Sequence, residues 1–145
     1  MIWTLLTQSY WRDEAFRIFM AKESLLKIIQ LAPFDGQPPF YYFILHYWMK
    51  IFGDSEIATR SLSLIFFELL IFLGFKFADK LLPKTKFPIF AALLLVLNPL
   101  LIYYAFEARM YMLFILLVTS SYYFLWIKRW KMWVLSSVLG LYTHN

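Results

Sequence analysis

The chain has 145 residues, of which 62% are hydrophobic and 22% aromatic, and its mean hydropathy is +0.64. A soluble domain usually carries about half apolar residues, so this excess over long uncharged stretches places the chain among integral membrane proteins. The formal charge of +5 does not indicate nucleic-acid binding, because the basic residues lie between hydrophobic runs rather than along one amphipathic face. With no cysteine, neither a disulfide framework nor a thiolate metal site can form.

In chain order, Met1–Tyr10 is apolar but covers only half a crossing, and it reads as the end of a first span. It has no basic leader and no small-residue cleavage site. Residues 11–60 read as an extracytoplasmic loop holding two juxtamembrane helices. Within it, Ala15–Leu31 has apolar residues near helical spacing (Phe16, Phe19, Met20, Leu25, Ile28, Ile29), interrupted by Arg17, Lys22, Glu23 and Lys27. Pro33–Gly36 reads as a turn. Pro38–Phe52 is apolar and aromatic but too short for a full crossing, and it carries His46 and Lys50, so it is expected to lie in the interface or to form a re-entrant piece, and to stop at Gly53.

Three stretches reach the roughly 17–25 residues that a crossing needs: 61–82, 87–106 and 110–127. A fourth, 132–145, reads as a span cut short. The expected fold is thus an all-α, polytopic membrane bundle. The lysines at 76, 80, 84 and 86, and Lys128-Arg129-Trp130-Lys131, place two loops in the cytoplasm. Asp13-Glu14 and Glu107-Ala-Arg109 then share the outer face.

Several polar residues in this map admit both a structural and a chemical reading. Asp13-Glu14 suits a helix N-terminus, and equally a general base beside a second carboxylate at the membrane surface. Glu107, Arg109 and Tyr111 fit an ordinary loop ion pair with an interfacial tyrosine, or a substrate site in which the planar fork of Arg109 holds a phosphate. Asn98-Pro99 inside a span frees backbone groups and kinks the helix. Glu68 lies within a span, where an acid costs roughly 2.5–3.5 kcal/mol; it suits a helix contact or a transport pathway. His46 and His144 are isolated and carry no metal-ligand spacing, and no complete ligand set is evident, although a divalent metal stays compatible with the acids.

Ser9-Tyr-Trp-Arg-Asp-Glu-Ala15, Gln37-Pro-Pro-Phe-Tyr-Tyr42, Phe52-Gly53, Arg60, Asn98-Pro-Leu-Leu-Ile-Tyr-Tyr-Ala-Phe-Glu-Ala-Arg-Met-Tyr111 and Tyr142-Thr-His144 occur in that order. Together they resemble the N-terminal half of GT-C fold glycosyltransferases, the family 39 and aminoarabinose-transferase-like group that includes protein O-mannosyltransferases. Gln37 departs from the histidine that members of that group carry before the two prolines. The resemblance implies transfer of a sugar from a polyprenyl-phosphate carrier to a lipid, glycan or protein acceptor. It implies inversion at the sugar carbon, a catalytic Asp13 with Glu14 beside it, and Glu107, Arg109 and Tyr111 at the substrate. It also implies a bacterial or archaeal plasma membrane, with the site on the extracytoplasmic side and no nucleic-acid partner. By the same resemblance both ends read as interrupted, and the chain is expected to be inactive alone. The other reading of the residues is a small transporter or channel subunit, or a non-catalytic membrane module.

Overall fold

A computed structural model describes residues 9–144, and every regular element among them is an α-helix. The proposed first-span stub at Met1–Tyr10 lies almost wholly outside the described residues, as does Asn145. The helices are α1 (Arg12–Lys22), α2 (Leu25–Asp35), α3 (Phe40–Phe52), α4 (Glu56–Leu81), α5 (Phe87–Val96), α6 (Pro99–Ala105), α7 (Tyr111–Trp126) and α8 (Trp130–Leu141).

The amphipathic stretch expected as one helix over Ala15–Leu31 is two. Its interruption is chemical: Ser24 takes extended backbone and its hydroxyl accepts from the Lys27 amide, which starts α2 afresh. The turn expected at Pro33–Gly36 is also displaced. Helix α2 runs through Pro33 to Asp35, and only Gly36, at φ +67°, turns the chain in the left-handed conformation that a residue without Cβ adopts freely. Gly53, at φ +88°, ends α3 as expected.

Among the described residues one helix, α4, is long and apolar enough to cross a membrane. It begins at Glu56, ahead of the expected Ser61, because the Ser55 hydroxyl caps the Ala58 amide. The stretch expected as a single span over 87–106 is two helices meeting at 59°. Asn98 caps the second of them through its side-chain oxygen, which accepts from the amides of Leu100 and Leu101, and Pro99 fits the first helical position. The third stretch is helical over 111–126, and the fourth over 130–141.

Helices α4 and α5 form one hairpin and α7 and α8 another. Gly74 of α4 sits so close to α5 that a Cβ there would lie 2.4 Å from Leu95 Cδ1. At the lysine-rich end, Phe77 of α4 meets Tyr123 and Trp126 of α7, with ring centres 5.8 and 6.5 Å apart. The two basic loops thus lie together at one end of the bundle. At the opposite end α1 and α3 fold against the start of α4. Here Tyr41, Tyr42, Leu45, Ile28 and Ala21 are buried, and the Phe40 amide reaches the Tyr142 carbonyl at 3.2 Å. The faces of α5 and α6 that carry Phe90, Leu94, Leu97 and Leu100 stay exposed, a surface suited to lipid contact.

Candidate functional site at the junction of α1 and the α6–α7 turn

The chain places an acid pair at the start of α1, where the helix dipole favours negative charge, and α1 carries the two carboxylates in different directions. Glu14 points inward and is fully buried. Its Oε1 accepts from Arg60 Nε at 3.1 Å and from the Ala108 amide at 2.8 Å. Its Oε2 accepts from Arg60 Nη2 at 2.7 Å and from the Trp11 amide at 3.1 Å. Burial alone would raise its pKa. The Arg60 hydrogen bonds and charge, with the two amides, outweigh that and hold the carboxyl below its ordinary value. Glu14 therefore joins α1, α4 and the α6–α7 turn at one point.

Asp13 faces outward, its side chain 59% exposed, and meets Arg109 Nη2 at 3.2 Å. Arg109 is held from several sides. Its Nη2 donates to the Tyr111 hydroxyl at 3.0 Å, its guanidinium lies 4.7 Å from the Tyr111 ring centre, and Nη1 is 3.6 Å from Glu107 Oε2. Glu107 is buried and its Oε2 accepts no hydrogen bond. Its carbonyl oxygen accepts from the Ser63 hydroxyl at 2.6 Å and from the Arg109 amide at 2.9 Å, which fixes the turn against α4. All five residues singled out in the sequence (Asp13, Glu14, Glu107, Arg109 and Tyr111) are thereby gathered at one end of the bundle.

His144 joins them through aromatic contact, its ring 5.7 Å from that of Tyr111 and 5.3 Å from that of Phe114. His46 does not. It is buried between α3 and α1, where Nδ1 lies 2.7 Å from the Ala21 carbonyl, and its task there is to hold two helices together. Among the described residues, no group of three or more His, Asp or Glu side chains is placed to hold a metal ion.

Sequence reasoning gave no role to Ser63 or Arg17, and Arg60 entered only among the residues that carry the resemblance. Arg60 carried a weak signal, a charge at the very start of an apolar stretch, yet its partner is remote in sequence. Arg17, one helical turn after Asp13, is buried to 6% exposure beside the same site. An open hollow of about 390 Å³ is lined there by Arg12, Asp13, Phe16, Arg17 and Asp35.

Within the long helices the hydroxyls of Ser120, Ser136, Ser137 and Thr143 return to carbonyls of their own helix, and Ser121 meets Ser137 at 2.7 Å. Glu68 is exposed at the middle of α4. No known protein family, curated protein or solved structure matches the chain.

Proposed function

We propose that the chain belongs to a membrane glycosyltransferase of GT-C type that takes its sugar from a polyprenyl-phosphate carrier, with Asp13 as the catalytic base. The observation that carries this reading is the meeting of an exposed carboxylate with a fixed guanidinium, Asp13 with Arg109 at 3.2 Å, on two segments far apart in sequence. The stretches around both also carry the resemblance.

The reaction asks for little else. The acceptor oxygen attacks the anomeric carbon as the bond from that carbon to the carrier phosphate breaks, and the phosphate leaves with the electron pair. Asp13 takes the acceptor proton, and positive charge balances the departing phosphate. Arg109 has the bidentate geometry for that second task, and Tyr111 steadies it. Glu14 is a positioning residue in this scheme, since its oxygens already accept four hydrogen bonds.

The polytopic arrangement belongs to the same proposal. Here α4, the bent α5–α6 pair and the shorter α7 and α8 cross the bilayer, α1 to α3 lie at its outer surface, and the basic loops face the cytoplasm. The transport reading is weaker, because most hydroxyls of the long helices turn back to their own backbone rather than line a path. The test compares membranes from cells that express the gene with membranes from a deletion strain, each supplied with a panel of radiolabelled polyprenyl-phosphate sugars. Transfer that depends on the gene supports the reading; equal transfer in both membranes refutes it.

A further inference from the structure

We infer that the face of α4 around Glu68 is a docking surface for a further membrane helix, one that carries a lysine or arginine near its middle. Ile65, Glu68, Leu69 and Phe72 recur at helical spacing, so they form one stripe along α4, and all four are exposed. The opposite face holds Ser63, Phe66 and Leu70, which are buried against the rest of the bundle. Lipid tails would satisfy the apolar members of the stripe. They would not satisfy the acid at its centre.

Glu68 stands at the middle of a 26-residue helix. Either end of that helix is about 19 Å away along the axis, too far for a glutamate side chain to reach water. Among the described residues it has no hydrogen bond or ion pair. The basic residues of α4 on either side, Arg60 and Lys76, each lie about 12 Å along the axis from it. Both are engaged: Arg60 with Glu14, and Lys76 over the Phe72 ring, 5.5 Å from its centre. Nor does the rest of the bundle offer a cation at that depth. Helices α5, α6 and α7 carry no charged residue, and α8 carries only Lys131 at its start.

The counter-charge must therefore come from another helix, and acids within a bilayer pair with basic groups on a neighbour. A second copy of this chain would set one carboxylate against another. A basic helix supplies the missing charge together with an apolar face for Ile65, Leu69 and Phe72. The inference rests on the proposed crossing of the bilayer by α4, and not on sugar transfer.

The test places the full chain in phosphatidylcholine vesicles with synthetic polyleucine helices of about 20 residues, whose central residue is lysine, leucine or glutamate. Association is read by energy transfer between a dye on a single cysteine at Lys131 and a dye on the peptide. The lysine helix should bind about three- to thirtyfold more tightly than the leucine helix. Glu68→Leu should abolish that difference, Glu68→Gln should reduce it, and Glu68→Lys should move the preference to the glutamate helix. Equal binding of the lysine and leucine helices overturns the inference. So does self-association of the chain that Glu68→Leu removes, because a second copy would then cover the face. A cysteine at Leu69 separates the two ways of failing. Where it resists an impermeant thiol reagent in the same vesicles, α4 lies in the bilayer and equal binding refutes the docking alone. Where it reacts, the crossing is refuted and the docking with it.

Discussion

Arg60 grips Glu14 with two nitrogens, at 3.1 and 2.7 Å, in a site where both side chains are almost wholly withdrawn from solvent. A buried pair of this kind adds little over an apolar pair of the same shape, yet removing one partner costs about 3–5 kcal/mol. Glu14→Gln should therefore destabilise the chain by about that amount, read as a lowered midpoint of chemical unfolding in nanodiscs. The pH dependence has a definite sign. The folded pKa of Glu14 lies below the ordinary glutamate value of about 4.5, so its contribution is complete above that value and is lost as the pH falls through the depressed folded one. Wild-type stability should decline on acidification below about pH 4.5, and the decline should be smaller in Glu14→Gln. Parallel curves for the two proteins would contradict the assignment.

Gly74 lets α4 pack close against Leu95 of α5. The atom its missing Cβ would meet is the end of a flexible leucine side chain, so Gly74→Ala should cost about 1 kcal/mol, and Gly74→Phe about 1–3 kcal/mol or more, through overpacking. Leu95→Ala should relieve part of the Gly74→Ala cost. A double-mutant cycle measures this, and strict additivity would mean that the two residues do not touch.

Glu68 is exposed at the middle of α4 and has no partner among the described residues. If α4 crosses a bilayer with nothing against that face, the carboxylate sits in the most costly place for it. Glu68→Leu should favour insertion of the Glu56–Leu81 segment by about 3 kcal/mol in a glycosylation-reporter assay. An unchanged insertion equilibrium would remove Glu68 from the bilayer core.

Much of this architecture was legible beforehand. The apolar runs located the four long helical stretches, Asn98-Pro99 announced the 59° bend, and the lysines grouped the two loops that Phe77 brings together with Tyr123. The extended Ala15–Leu31 helix failed because an apolar rhythm does not register a serine cap; Ser24 interrupts it through a single hydrogen bond. The site was legible by residue type and by its gathering at one end of the bundle, but not by partner. Glu14 binds a backbone amide at Ala108, which has no signature in a sequence, and Arg60, whose distance along the chain hides the pairing. Arg17 resembled a solvated charge on an amphipathic helix, and only the folding of α3 and α4 against α1 buries it.

The absence of native cysteine makes the proposed topology simple to test. Single cysteines at Arg12 and Tyr142, both exposed at the site end, should react with an impermeant thiol reagent on intact cells, whereas cysteines at Lys84 and Lys131 should react only after permeabilisation. Glu107 is a poor reporter, since it is buried. Labelling of position 84 on intact cells, with position 12 protected, would invert the arrangement.

The central claim is that Asp13 takes the acceptor proton, and the most direct measurement is the transfer rate of Asp13→Asn in membranes that use the polyprenyl-phosphate sugar. The amide keeps the shape and the contact with Arg109 but cannot accept the proton, so turnover should fall by about 10²–10⁴-fold while the protein level is kept. A variant that transfers sugar at the wild-type rate would contradict the account.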